Sequence, residues 1–166
     1  GKIKSMIYYA KYLKKDINDP NSIHELMSYL KKSADLGNVY SIYQYSSILY
    51  NDYIKEKNSD ILSEMKKYTL EAVKKRYKKA ILLYIKILKL ENSEDKEIAI
   101  WLGKAAELGS ISSMIKYVKM HNDNKGILCD IGIIRKFFKE ANKKQNKTLI
   151  KLLLKTIISD KIEVKY

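Results

Sequence analysis

Apolar side chains recur every three or four residues along most of the chain, which is the spacing that places them on one face of an α-helix. Ile98, Trp101 and Leu102 begin one such stripe, and Met114, Tyr117 and Val118 begin another directly after it. No segment shows the alternating pattern, bounded by turn signals, that is typical of a strand. The pattern predicts an all-α fold with helices at about residues 2–15, 21–36, 38–55, 59–75, 77–90, 94–108, 110–122, 129–143 and 146–158.

A short motif occurs twice, as KSADLGNVYSI from Lys32 and as KAAELGSISSM from Lys104. Its two glycines, Gly37 and Gly109, stand 72 residues apart, which is twice 36. Weaker copies surround Arg76 and Lys144. A period of about 36 residues with two helices in each copy is typical of an α/α solenoid, in which helix pairs stack in order.

The copies share a pattern of side chains around the glycine position. A small residue follows four positions later, at Ser41, Ala80, Ser113 and Thr148. An aromatic residue precedes it by eight positions at Tyr29, Tyr68 and Trp101, and Phe137 takes that place if the last turn is one residue longer. We expect Gly37 and Gly109 to end the first helix of a pair in the left-handed conformation. We expect Arg76 to continue or distort its helix end, and Trp101 to be buried between neighbouring repeats.

These repeats predict a single helical-repeat domain over residues 1–166 that begins halfway through a repeat. The parts are a partial repeat at 1–15, helix pairs at about 21–55, 59–90, 94–122 and 129–158, and a tail at 159–166.

The segment from Trp101 to Gly109, WLGKAAELG, resembles the end of the first helix in Sel-one-like repeats (SLR), which are relatives of the tetratricopeptide repeat. Residues 30–41 are similar to the same pattern. The resemblance implies a right-handed superhelix of antiparallel helix pairs that works as an adaptor for other proteins and performs no chemistry. The pentatricopeptide RNA-binding repeat has a similar length and is also basic, but its typical helix motifs are not visible here.

The chain of 166 residues has a formal net charge of +14, and 33 of its residues are Lys or Arg. Only Arg76 and Arg135 are arginines, and proteins that read bases or clamp phosphates favour arginine. Together with frequent Ile, Asn and Tyr, the lysines suggest an AT-rich coding sequence. A single cysteine excludes a disulfide framework. We see no apolar run long enough for a transmembrane helix. The compartment stays open: cytoplasmic, or periplasmic or secreted if a signal peptide was removed.

One cluster of chemically capable residues lies in the segment 121–130, where His121, Asp123, Cys129 and Asp130 are close in sequence. These residue types can ligate a metal or form a nucleophile and base. His121 falls on the apolar stripe of its helix, so a structural role is the favoured interpretation. We therefore expect no catalytic residue, no metal and no cofactor.

In tetratricopeptide-type solenoids the first helices of the pairs line the partner-binding groove, and the resemblance implies the same here. The expected groove holds an acidic or amphipathic segment of a protein partner. The alternatives are an RNA-binding helical repeat and lysines scattered over every face by codon bias. The residues expected to line the groove are His24, Ser28, Lys31, Lys67, Leu70, Lys74, Lys96, Ile100, Lys136, Lys139 and Lys143.

Overall fold

The computed structural model describes residues 2–13, 20–123, 127–128 and 131–159. Over these ranges the chain is all-α, as predicted, with no strand. The helices are α1 (Lys2–Leu13), α2 (Pro20–Asp35), α3 (Val39–Glu56), α4 (Ser59–Lys74), α5 (Lys78–Leu90), α6 (Asp95–Glu107), α7 (Ile111–Asn122), α8 (Ile131–Lys143) and α9 (Lys147–Ser159). We call α2, α4, α6 and α8 the A helices, and α1, α3, α5, α7 and α9 the B helices.

Every turn from an A helix to the next B helix has the same backbone design. The residue that ends the turn is left-handed in all four cases, at Gly37 (φ 80°), Arg76 (φ 56°), Gly109 (φ 74°) and Gln145 (φ 50°). In each turn the N–H of that residue donates to the carbonyl three residues back, and the next N–H donates to the carbonyl five residues back. This is the Schellman motif. The prediction for Gly37 and Gly109 is confirmed, whereas the prediction for Arg76 is wrong, since Arg76 adopts the glycine conformation.

The last repeat is shifted by one residue from the simplest alignment, because Gln145 and not Lys144 is left-handed. Four positions later, Leu149 is buried and the predicted Thr148 is exposed. Eight positions before Gln145, Phe137 lies in the core while Lys136 is exposed. The small-residue column is confirmed at Ser41, Ala80 and Ser113, which are buried. Its last member is a leucine instead.

A lysine ties two of these turns to the neighbouring repeat. The Lys75 ammonium donates to the carbonyl oxygen of Gly37 at 2.5 Å, and the Lys144 ammonium donates to that of Gly109 at 2.6 Å. A Cβ atom on Gly37 would lie 3.2 Å from the Lys75 Nζ, and one on Gly109 would lie 3.3 Å from the Lys144 Nζ. Each glycine therefore permits both the left-handed turn and the close approach of a lysine.

Replacing Gly109 by Val should lower the free energy of unfolding by about 1–2 kcal/mol, because a β-branched residue is strained in the left-handed region. Arg76→Gly should instead have little effect or stabilise slightly, since it relieves the same strain at the matching position. Urea unfolding followed by circular dichroism measures both changes. Equal destabilisation by the two substitutions would contradict the shared turn geometry.

The backbone contacts divide the chain into two compact units, Gly1–Ile87 and Leu88–Tyr166. In the first unit, α1 packs on α2, α2 on α3 and α3 on α4. In the second unit, α7 packs on α6, α8 and α9. The core of the second unit includes Met114, Val118, Ile134, Phe137, Leu149 and Leu153. Among the described residues, no helix has the length and hydropathy needed to cross a membrane.

The aromatic column is less uniform than the sequence predicts. Tyr68 and Phe137 are buried, but Tyr29 and Trp101 are only partly buried. The prediction that Trp101 is a buried core residue is therefore wrong. The Lys104 ammonium lies 3.8 Å from the centre of the Trp101 ring, one helical turn further on, so a solvated cation covers part of the indole.

Candidate protein-binding surfaces

In the first unit the predicted binding residues lie beside a polar cluster between the A helices α2 and α4. The Lys31 ammonium donates to a carboxylate oxygen of Glu64 at 2.6 Å. The Tyr45 hydroxyl of α3 donates to the same oxygen at 3.1 Å. The Tyr68 hydroxyl donates to the Asp35 carboxylate at 2.6 Å, and the Tyr68 ring packs edge-on against Tyr45 with the ring centres 5.0 Å apart.

These contacts change how the polar groups titrate. The hydrogen bond to Glu64 raises the pKa of Lys31. Burial, with the nearby Glu64 charge, raises the pKa of the Tyr45 hydroxyl. Burial and the hydrogen bond to Asp35 raise the pKa of the Tyr68 hydroxyl well above its ordinary value. Lys31 is thus charged and already paired with the Glu64 carboxylate. It is therefore less available to a partner than a lysine with no carboxylate beside it would be.

The remaining predicted residues of the first unit are arranged along α2 and α4. Ser28 and Leu70 are partly buried, whereas His24, Lys67 and Lys74 are exposed. The Lys67 ammonium lies 5.7 Å from the centre of the Tyr68 ring. This surface therefore carries lysines together with the carboxylates Asp35 and Glu64.

The second unit contains a groove of about 600 Å³ between α6 and α8, with α7 and residues 127–128 contributing to its lining. Three predicted residues, Lys96, Ile100 and Lys136, line this groove together. Lys139 and Lys143 are exposed on α8 but are not part of the lining. The other lining residues are Ala99, Gly103, Lys104, Glu107, Tyr117, Ile127, Leu128, Ile133 and Phe137.

Tyr117 shapes the floor of this groove. A Cβ on Gly103 would lie 3.7 Å from its ring, an ordinary contact distance, so the tyrosine packs directly on α6 at this glycine. The ring packs edge-on against Phe137 with centres 6.0 Å apart, and its hydroxyl donates to the Leu128 carbonyl at 3.1 Å. The sequence marked Tyr117 as part of an apolar stripe and Phe137 as part of the aromatic column, but it did not show that they meet in a groove. The place of Leu128 follows only from the path of the chain.

The groove combines exposed apolar side chains with a basic rim. Ile100 is 58% exposed and Leu128 is 82% exposed. Lys96, Lys104 and Lys136 stand around them, and Glu107 is the one carboxylate among the described lining residues. Exposed apolar groups release water when a partner covers them. The lysines favour a partner with negative charge.

His121 supports the same groove. Its Nδ1 atom lies 2.7 Å from the Ile127 carbonyl oxygen, where an N–H donates, and Ile127 is buried. The favoured structural interpretation of His121 agrees with this contact. Cys129 and Asp130 lie outside the described residues. Within the described ranges, no three His, Cys, Asp or Glu side chains come together as metal ligands would.

No protein-family model matches the sequence, and no curated protein sequence matches it either. The structure is similar to a solved crystal structure of a protective antigen present in uropathogenic Escherichia coli strains, which displays an SLR fold. The TM-score is 0.62 at 15% sequence identity. The match covers 99% of this chain and 41% of that one, so the chain spans about two-fifths of the antigen's length. The predicted architecture is confirmed: the chain has the SLR fold, a solenoid of antiparallel helix pairs.

Proposed function

We propose that this protein is a non-enzymatic scaffold that holds an acidic, amphipathic segment of a partner protein against its A helices. The observation that carries the proposal is the groove of the second unit, where Ile100 and Leu128 are exposed inside a rim of lysines. Helical repeat folds provide long surfaces for such partners.

The groove suits a short helix or extended segment with apolar side chains on one face. Apolar anchors would cover Ile100 and Leu128, and carboxylates would meet Lys96, Lys104 and Lys136. The charges should mainly raise the rate of association, whereas the apolar contacts should set the lifetime of the complex. The exposed lysines of α4 and α8, Lys67, Lys74, Lys139 and Lys143, are proposed as further contacts along the A helices.

Selection from a displayed library of random peptides tests this function with the whole chain immobilised. We expect enriched peptides that pair Asp or Glu with Leu, Ile or Phe at helical spacing. Ile100→Asp and the double reversal Lys96→Glu/Lys136→Glu should weaken the best peptide about tenfold or more, since both remove groove contacts.

The matched control is Lys116→Glu/Lys119→Glu, which makes the same charge change on exposed positions of the B helix α7. It should change peptide binding less than threefold. A basic consensus, or a greater loss with the α7 reversal than with the groove reversal, would show that the site lies elsewhere.

A further inference from the structure

Acidic residues are distributed unevenly between the two classes of helix. The A helices contain 11 basic and 9 acidic residues, whereas the B helices contain 13 lysines and only Asp52 and Glu56 as acids. Basic residues are about equally frequent in both classes, as a codon bias toward lysine would produce. Codon bias does not explain why carboxylates are nearly absent from one class. The B helices are therefore the more strongly basic surface.

In the first unit the B helices α3 and α5 form a groove of about 430 Å³. Its lysines come from α5, whereas α3 carries Lys55 and both acids of the B helices. Among the described residues, no carboxylate lines the groove. The lining residues are Tyr43, Ser47, Tyr50, Asn51, Lys79, Leu82, Leu83 and Lys86.

The groove contains a tyrosine–lysine pair that is repeated. The Lys79 ammonium lies 6.0 Å from the centre of the Tyr43 ring, and the Lys86 ammonium lies 5.3 Å from that of Tyr50. Both tyrosines and both lysines are seven residues apart on their helices, a rise of about 10.5 Å. The Tyr77 ring packs edge-on against Tyr43 with centres 5.5 Å apart, which holds the first pair in place.

We propose that the groove between α3 and α5 binds single-stranded nucleic acid. The described lining has two lysines and no carboxylate, which favours an anionic occupant. A regular polymer fits a repeated pair, and about 10.5 Å corresponds to roughly three stacked nucleotides at ~3.4 Å each. Tyrosine rings stack on bases while lysines bind phosphates. Ser47 lies between the pairs and Asn51 directly follows Tyr50, and both can hydrogen-bond to sugars or base edges.

Two other anionic partners, a bilayer surface and an acidic peptide, fit the groove less well. A bilayer surface would need apolar side chains that project outward, but Leu83 is buried and Leu82 is partly buried in the groove. An acidic peptide would pair with the two lysines, but it has no repeated planar groups that would stack on the two tyrosine rings. Lysine without arginine at the phosphates favours binding with little sequence preference. This site goes beyond the proposed protein scaffold and lies on the opposite class of helix.

The test is fluorescence anisotropy of labelled 12-nucleotide oligouridylate and oligothymidylate with the whole chain, at salt concentrations from 50 to 200 mM. We expect Lys79→Gln/Lys86→Gln to weaken binding about tenfold or more at 50 mM salt. The double substitution should also flatten the slope of log affinity against log salt by about 1.4, at about 0.7 per lost phosphate contact. Tyr50→Leu should weaken binding about fivefold or more, and Tyr50→Phe should retain it.

The matched control is Lys116→Gln/Lys119→Gln, two exposed lysines of the B helix α7 that lie outside both proposed sites. It should change affinity less than threefold. Equal losses of affinity in both double variants would show that binding depends only on general charge attraction, which would overturn the proposed site. No binding at 50 mM salt would overturn it too. Tighter binding of polyglutamate or anionic vesicles, lost in the same variants, would assign the groove to another occupant. Melting curves confirm that each variant is folded.

Discussion

Replacing Phe137 by Ala should lower the free energy of unfolding by about 3–5 kcal/mol, because the ring fills the core of the second unit. Phe137 is 7% exposed and packs with Ile134, Leu149 and Leu153 in one cluster. The neighbouring change Lys136→Ala should stay within about 0.5 kcal/mol, as is usual for an exposed position. Urea unfolding followed by circular dichroism measures both.

Trp101→Ala provides a second comparison for this prediction. Trp101 and Phe137 occupy the same column of the repeat, but Trp101 is only partly buried. We therefore expect Trp101→Ala to cost clearly less than Phe137→Ala, although the indole is larger. A larger loss at Lys136 than at Phe137 would contradict the register of the last repeat, and a larger loss at Trp101 would contradict its partial exposure.

The first unit should lose stability in alkaline solution as Tyr68 ionises. Its hydroxyl donates to Asp35 at 2.6 Å, and burial with this bond raises its pKa. A group whose pKa is higher in the folded chain stabilises the fold below its unfolded pKa, which is about 10 for tyrosine. That contribution disappears as the pH rises through the folded pKa. The loss should reach about 1.5–3 kcal/mol, the usual value of a hydrogen bond to a charged group.

Melting temperatures of the wild type and Tyr68→Phe between pH 8 and pH 11.5 test this effect. The variant lacks the hydroxyl, so it should melt lower at pH 8 and decline less at high pH. Tyr53→Phe is the matched control, because Tyr53 is a partly buried tyrosine of the same unit beside the Lys57 ammonium instead of a carboxylate. Parallel curves for the wild type and Tyr68→Phe would contradict the prediction.

The repeat could be predicted because it depends on residues that are close together in the sequence. A helix needs only its apolar stripe and its end signals, which are neighbours in sequence. Hence the nine helix positions agree with the structure to within a few residues over the described ranges. The glycine turns were predictable for the same reason. Both Gly37 and Gly109 directly follow an amphipathic stripe and are left-handed.

Positions that carry no signal in their residue type could not be predicted in this way. Arg76 and Gln145 carry side chains that disfavour the left-handed conformation, yet both adopt it, because the Schellman hydrogen bonds close the turn without glycine. The exposure of Trp101 depends on Lys104 and on which helices pack beside it, which the apolar pattern does not contain.

The candidate site was likewise predictable only in part. The sequence indicated Lys96, Ile100 and Lys136 as outward-facing residues of A helices, and all three line one groove. It did not reveal that Lys31 is paired with Glu64, or that Tyr117 and Leu128 complete the groove. The sequence by itself determined the helices, their period and which face of each helix is apolar, because these follow from spacing along one chain. Only the tertiary structure decided which polar groups meet, since partners such as Lys31 and Glu64 are 33 residues apart and come together through packing.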